Sequence, residues 1–428
     1  MRAVTGGQPG RAGRRAQRYA CAMDSLIAMA ARALAAGDAL GALQCVALRE
    51  DPPALALRGI AMARLGDLAR AQALLRQAAR AFGAREPLAR ARCALALADV
   101  GLARRELAGW PDALPAAIVE FDARRERVNA AHARLLLSRY ALLTGRPDEA
   151  TALLARVPSQ GIAPAALALR ALVEAELALR RPAPAAARAA LAQARTHAAA
   201  ARIPELLAEA QGLEAMLALP AALRLEAGGA APLTLAEIAA LLDSRALVLD
   251  GCRRAWRRGS DVRPLLGRPV LYALSSELAR AWPAAAPRAA LIAAAFRIRR
   301  PDDTDRARLR VQIGRLRALL RPFARIEARP EGFALCPAGG AAVAMLAPPM
   351  PGEAGALLAL LADGAAWSSS SLALALGGSQ RSVQRLLARA ELAGQVRALG
   401  RGRAQRWLAP RLAEFTTILL LPAAPGLV

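Results

Sequence analysis

Asp302-Asp-Thr-Asp-Arg-Ala-Arg-Leu-Arg-Val-Gln-Ile-Gly-Arg-Leu-Arg-Ala-Leu-Leu320, followed after a short break by Arg325-Ile-Glu-Ala-Arg-Pro-Glu-Gly-Phe-Ala-Leu335, is the stretch on which the organisation of this chain turns. Leu309, Ile313, Leu316 and Leu320 recur at i, i+4, i+7 and i+11, the spacing of one apolar stripe along a helix. Arg308, Gln312, Arg315 and Arg317 project away from that stripe. Asp302, Asp303 and Asp305 sit in the first turn, where the helix dipole favours acids. The segment after the helix reads as a strand, a turn and a returning strand. Upstream, two more helices are predicted, Arg268 to Trp282 and Pro287 to Phe296. Ala246 to Trp256 reads as a hairpin turning at Asp250-Gly251, a dipeptide suited to a tight turn.

Charge distribution singles out the same region. The 428 residues carry a net charge of +25 from 59 basic side chains, every one of them arginine. Absence of lysine beside abundant alanine is the mark of a GC-rich coding sequence, so the total is weak evidence and its distribution is the better test. Residues 244–336 hold 20 Arg against 8 acids, whereas 23–243 hold 26 against 22 and 352–428 hold 8 against 4. A bias in coding acts on all segments alike. The excess in the middle needs a local reason, and a polyanionic partner supplies one.

The order helix, helix, helix, hairpin, with Gln312-Ile-Gly-Arg-Leu-Arg317 in the third helix and a hairpin ending Gly332-Phe-Ala-Leu335, resembles the OmpR/PhoB-type winged helix over residues 231–336. That resemblance implies a third helix in the major groove and a wing reaching the adjacent minor groove. By position Gln312 and Arg315 would face bases or phosphates, Arg317 a phosphate and Arg329 the minor groove, with Arg308 on the same exposed helix face. The chemistry suits these roles: Gln pairs an adenine edge, Arg a guanine edge or a phosphate, and Arg fits a narrow minor groove. Gly314 departs from the family, in which that helix position often carries a basic residue. The alternative is an amphipathic helix with a solvated arginine face, which leaves the element order and the charge concentration unaccounted for. Regulators of this type commonly carry an α/β receiver domain ahead of the winged helix. Nothing N-terminal here alternates strand and helix in that way, so phosphorelay control is not carried over.

Residues 337–351 are predicted to be a Pro/Gly linker. The uncharged run Gly332 to Gly352 contains four prolines and four glycines, too many breakers for a lipid-exposed helix. Beyond it, Glu353 to Ala362 and Ser369 to Leu376 read as helices, Gly377-Gly378 turns the chain, and Ser379, a good N-cap, opens a third helix to Ala393. Val383, Leu386, Leu387 and Ala390 face inward in that helix, leaving Gln380, Arg381, Gln384 and Arg385 exposed near its N-terminus, where helix-turn-helix proteins contact base edges. Gln395 to Leu408 reads as a hairpin with a basic tip at Arg401 and Arg403. This order looks like a MarR-like winged helix, the alternative being a protein-interaction winged helix with solvated arginines. Phe415 to Leu421 is a predicted strand that completes this sheet or pairs across a homodimer.

From Met23 to about residue 230 the pattern is helix, short break, helix. In Leu57 to Leu75, Gly59 allows close helix approach, Gly66-Asp67 makes the turn, and Ala71 with Ala78 forms a small-residue seam. Leu137 to Leu154 repeats the arrangement with Gly145 as turn and Ala150 as seam, and Gly109 marks a unit between them. This spacing resembles tetratricopeptide (TPR) repeats; a generic helical bundle is the alternative. Residues 1–22, with five Arg and no acid, are expected to be a basic disordered tail or to precede a start at Met23.

Five dispersed cysteines without a CxxC pair point to a reducing cytoplasm, and two isolated histidines, His132 and His197, to no metal cluster. Without lysine there is no Walker A loop and no Schiff base, and Ser368 to Ser371 lacks a GxSxG context. The expected protein is mainly α, a TPR-like α-solenoid (23–230) followed by two winged-helix domains (231–336 and 352–428). Its expected role is cytoplasmic DNA-binding transcription regulation, neither enzymatic nor membrane-bound and without a cofactor. Double-stranded DNA is the partner, with a protein or small effector on the helical repeats. The rival is a TPR-like scaffold whose winged helices bind proteins.

Overall fold

The computed structural model describes residues 25–409 except 227, 228, 266, 299, 351–353, 363 and 364. The expected tail 1–22 and the expected strand Phe415 to Leu421 lie outside the described residues. The chain is mainly helical with a few small sheets. In its N-terminal half the helices are α1 (residues 25–35), α2 (Ala39–Val46), α3 (Pro52–Arg64), α4 (Leu68–Ala81), α5 (Pro87–Ala103), α6 (Trp110–Ala123), α7 (Arg127–Leu143), α8 (Pro147–Leu154), α9 (Pro164–Arg180), α10 (Pro184–Ala201) and α11 (Pro204–Met216). Their starts are local decisions. Proline occupies the first turn of α3, α5, α6, α8, α9, α10 and α11, where its missing N–H leaves no bond unmade. Asp38, Asp51 and Asp67 cap α2, α3 and α4 by accepting backbone N–H bonds from Gly41, Ala54 and Arg70.

Two compact units divide at Tyr140/Ala141. In the first, Gly59 lets α3 lie against α4: a Cβ there would meet the Leu75 Cγ at 2.7 Å and the Ala71 carbonyl at 3.2 Å. Gly66 turns the chain at φ +86°, and Ala71 and Ala78 are fully buried in the seam between the helices. Gly101 admits the Trp110 indole in the same manner, linking α5 to α6. In the second unit Gly145 turns at φ +72° and Ala150 is fully buried.

His132 on α7 holds Asp99 on α5 at 2.9 Å. Burial alone lowers the imidazole pKa, but the Asp99 carboxylate outweighs it and leaves the pKa raised above 6.5. A raised folded-state pKa means that this pair's contribution is full below the unfolded value near 6.5 and fades as pH rises through the folded value. We expect Asp99→Asn to lower the His132 pKa in an NMR titration and to flatten the stability of this unit between pH 6 and 8. An unmoved His132 titration would discount the pair.

The second unit is built on a six-stranded sheet. Its strands are β1 (Pro220–Glu226), β2 (Gly229–Thr234), β3 (Leu247–Asp250), β4 (Ala255–Arg258), β5 (Asp261–Pro264) and, after a long excursion, β9 (Val343–Ala347), in the order β2-β1-β9-β3-β4-β5. The excursion contains α13 (Pro269–Ala281), β6 (Ala285–Pro287), α14 (Arg288–Phe296), α15 (Asp303–Leu320), β7 (Ala324–Ala328) and β8 (Gly332–Pro337); β6, β8 and β7 form a second, three-stranded sheet. Strand alternation gives the large sheet two apolar faces. Leu247, Leu249, Trp256 and Met345 pack with α13, α14 and α15. Val248, Ala344 and Leu346 pack with α12 (Leu235–Asp243) and with Ala175, Leu179, Ala187 and Leu191 of α9 and α10.

Three expectations change here. The stretch 337–351 is not a free linker, because it contains β9, which pairs antiparallel to β1 and parallel to β3. Val343-Ala-Met-Leu-Ala347 is uncharged because it is buried on both faces of the sheet, which its neighbouring prolines and glycines obscured. The sheet begins at Pro220, inside the span expected to be helical repeat, and the last helical hairpin is part of its core. The β3–β4 connection is four residues, with Asp250 paired to Ala255 and the positive φ at Arg254. Gly251 serves a different end: a Cβ there would meet the Leu346 carbonyl of β9 at 2.4 Å. Behind this turn Asp250 accepts from the Arg253 backbone N–H at 3.0 Å and pairs with Arg257 at 3.5 Å, while the Arg253 guanidinium donates to the Arg180 carbonyl at the end of α9.

The C-terminal elements are α16 (Gly355–Leu361), α17 (Ser369–Leu376), α18 (Gln380–Leu392) and a hairpin of β10 (Arg397–Leu399) and β11 (Arg406–Leu408), with Trp367 bridging to Trp407. No helix among the described residues is long and apolar enough to cross a membrane.

Candidate nucleic-acid interface

The longest helix of the second unit's excursion, α15, starts with a reciprocal cap. Asp302 Oδ1 accepts the Asp305 N–H at 2.9 Å, and Asp305 returns a carboxylate oxygen to the Asp302 N–H at 3.3 Å. Leu309, Ile313, Leu316 and Leu320 are buried, as the stripe predicts, which leaves the opposite face to solvent. Arg308, Arg310, Arg315 and Arg317 are exposed on α15, and Arg321 is exposed at its C-terminal cap. Of the α15 arginines, only Arg306 has a carboxylate partner among the described residues, Asp303 at 3.0 Å.

The predicted contact residues differ in how free they are. Arg315 has no hydrogen bond or ion pair among the described residues and joins the half-buried Gln312 beside Gly267, Arg268, Val270 and Leu271, at the start of α13. Arg308 lies over the Phe296 ring, 4.3 Å from its centroid, which steers the guanidinium while leaving its charge intact. Arg317 is partly engaged: its Nε donates to the Ile326 carbonyl at 2.8 Å, bracing β7 against the helix.

The β7–β8 hairpin carries Arg329 at its tip. Arg329 and Gly332 exchange backbone bonds at 2.9 and 3.2 Å, closing the turn Arg329-Pro-Glu-Gly332. Arg288, which the sequence reading did not single out, holds the turn from α14 by donating to the Pro330 and Arg329 carbonyls at 2.5 and 2.8 Å. Its guanidinium and that of Arg317 also lie near the buried Phe333 ring, at 5.6 and 5.9 Å. Two arginines thus fix the hairpin to α14 and α15, with the Arg329 side chain exposed. No local pattern marks Arg288, since both its acceptors are carbonyls distant in sequence.

This division bears on the charge excess of residues 244–336. Arg253, Arg257 and Arg258 are tied to carbonyls or to Asp250, Arg254 and Arg263 lie over Tyr272 and Phe323, and Arg288 and Arg317 brace the hairpin. Part of the local reason for the excess is therefore the fold itself. Of the arginines that remain outward, Arg308, Arg310, Arg315 and Arg321 lie on α15 or at its C-terminal end and Arg325 and Arg329 on the adjoining hairpin, while Arg245, Arg268, Arg297 and Arg300 are exposed elsewhere in the segment.

In the C-terminal module Ser379 caps α18 by accepting the Ser382 N–H at 3.1 Å, and Val383, Leu387 and Ala390 are buried, with Leu386 half-buried. Gln380, Arg381, Gln384 and Arg385 are exposed near the start of the helix. Gln380 donates to the Ser369 hydroxyl at 3.0 Å, which ties α18 to α17, and Arg385 reaches the Ser382 hydroxyl at 3.5 Å. Arg401 is exposed just before the turn Gly402–Ala404, which contains Arg403.

The comparisons bring no relative to bear: no protein-family model, no curated protein and no solved structure matches this chain.

Proposed function

We propose that this protein is a DNA-binding transcription regulator. In this reading the α13–β8 segment is an OmpR/PhoB-type winged helix with α15 in the major groove, the α16–β11 segment is a MarR-like second winged helix, and the helical pairs are a TPR-like array that receives a protein or small effector. One observation carries it: a capped, well-anchored helix presents Arg308, Arg310, Arg315 and Arg321 without carboxylate partners, beside a hairpin held by Arg288 with Arg329 at its tip. Free guanidinium groups on a rigid helix and an adjoining hairpin are what phosphate and base-edge contacts require. The start of α13, beside Gln312 and Arg315, adds backbone N–H groups and a positive dipole end suited to a phosphate.

Binding to duplex should then fall steeply with salt, through counterion release. Arg315→Ala with Arg329→Ala is expected to weaken specific binding roughly 30-fold and to lower the salt slope by about 2, with the fold unchanged by circular dichroism. Unchanged gel-shift affinity in the double variant would overturn the assignment. For the C-terminal module a protein partner is the competing reading, favoured by exposed Leu374, Leu392 and Leu399. Deleting its DNA contacts through Arg381→Ala with Arg385→Ala separates the two.

A further inference from the structure

The helical array carries a basic surface of its own, on α4 and the start of α5. From Arg70 to Arg90 five arginines stand against one acid, Glu86, although residues 23–243 as a whole are nearly balanced. Ala71, Leu74, Leu75 and Ala78 are buried in α4. At 100° per residue Arg76 and Arg80 lie on the opposite side of that helix, with Arg70 on one flank. Arg85 stands in the connection to α5, and Arg90 in the first turn of α5. Ala89 and Cys93 of α5 pack with Ala78 and Phe82, so Arg80, Arg85 and Arg90 share one end of the pair. All five arginines are exposed, and none has a side-chain hydrogen bond or ion pair among the described residues.

Coding bias explains abundant arginine but not where acids are left out. Elsewhere in the array a carboxylate often sits one turn away, as in Arg124–Glu120, Arg146–Glu149, Arg170–Glu174 and Arg180–Glu176. Others come from a neighbouring helix, as in Arg134–Asp122 and Arg195–Glu214. Nowhere else between residues 25 and 219 do more than two successive arginines lack a partner among the described residues. The surface also works against its own helices. Arg76 and Arg80 repel each other at i, i+4, and Arg90 lies at the positive end of the α5 dipole. Local rules broken without internal compensation point to an anion from outside the chain.

Which polyanion fits follows from what the surface lacks. Protein interfaces are organised around aromatic or aliphatic anchors, and helices lying on membranes insert large apolar side chains. From Ala69 to Arg90 no large apolar side chain is exposed; between the arginines of α4 stand Ala73 and Gln77. Phosphate contacts need only guanidinium groups, and a duplex presents one charge about every 1.7 Å along its axis. Arg70 to Arg80 spans about 15 Å of helix, enough to meet several phosphates of one backbone.

We propose that α4 and the start of α5 form a second, sequence-independent binding surface for the phosphate backbone of duplex DNA. This surface is independent of α15: α15 selects a sequence, and α4 adds affinity for any duplex.

The test uses the full chain in gel-shift titrations over salt, with a duplex selected by the protein and a scrambled duplex of equal length. Arg76→Ala, Arg80→Ala and Arg85→Ala together should weaken binding to both duplexes equally, by at least about tenfold near 0.1 M salt. The salt slope should fall by about 3. Melting should not drop, because the changes remove repulsion and add helix propensity. Lysine at the same three positions should keep most of the affinity, since lysine also holds phosphate. Arg315→Ala with Arg329→Ala should instead reduce the preference for the selected duplex. An unchanged slope in the alanine triple, unequal loss on the two duplexes, a lowered melting temperature, or a lysine triple as weak as the alanine one overturns the inference while α15 stands. So does a loss confined to polyglutamate or to phosphatidylserine vesicles. Loss in the alanine triple beside an inert Arg315→Ala, Arg329→Ala double keeps this surface and removes the α15 assignment. A chain that binds no duplex overturns both.

Discussion

Replacing Trp256 by alanine is expected to cost about 4 kcal/mol and to loosen α13 and α15 together from the large sheet. The indole is fully buried on β4, in the cluster that joins Leu247, Leu249 and Met345 of the sheet to Leu274, Ile313 and Leu316 of the helices. Its Nε1 donates at 2.9 Å to the hydroxyl of the fully buried Ser275. Alanine would leave a large cavity and a hydroxyl deprived of its donor, so two penalties add. Trp256→Phe separates them: it retains most of the volume and should lose only about 1 to 2 kcal/mol. Urea unfolding followed by far-ultraviolet circular dichroism measures both. A loss below about 1 kcal/mol for Trp256→Ala would show that the helices do not depend on this side chain for their seat.

A second large effect is expected at Gly332, where β8 begins. A Cβ there would lie 1.8 Å from the Ala286 carbonyl oxygen and 2.7 Å from its carbon. Those atoms belong to the backbone of β6, which cannot rotate aside, so Gly332→Ala must push β6 and β8 apart at the Pro287–Gly332 pairing. About 3 kcal/mol of stability should be lost. The same turn positions Arg329 and receives the two bonds from Arg288. Duplex affinity should therefore drop in protein that is still folded at low temperature. Gly314→Ala, on the exposed face of α15 where a Cβ would meet nothing within 4 Å, should instead stabilise by up to about 1 kcal/mol, so one chemical change has opposite effects at two glycines. Wild-type melting of Gly332→Ala would mean that β6 does not pair as described.

Much of α15 and its hairpin was legible in the chain itself. The stripe from Leu309 to Leu320, the acids at its start and the Arg329-Pro-Glu-Gly332 turn are encoded by residues within four positions of one another. The same holds for Gly66 and Gly145 as turns and Ser379 as a cap. Mainly helical architecture followed from composition. By contrast β1 (Pro220–Glu226) went unrecognised, because Leu-Arg-Leu-Glu serves a helix as readily as a strand until its partners β2 and β9 are known.

Sequence alone determined helices such as α15 and α18, their caps, and the β7–β8 and β10–β11 hairpins, whose strands are neighbours in the chain. These features depend on hydrogen bonds and apolar periods of a few residues. Tertiary structure decided the rest: that Val343–Ala347 inserts between β1 and β3, and that α9 and α10 share a core with the sheet. It also decided which arginines are held by the fold and which stand free. A guanidinium such as Arg288 or Arg253 finds its carbonyl tens of residues away, and only folding brings the two together.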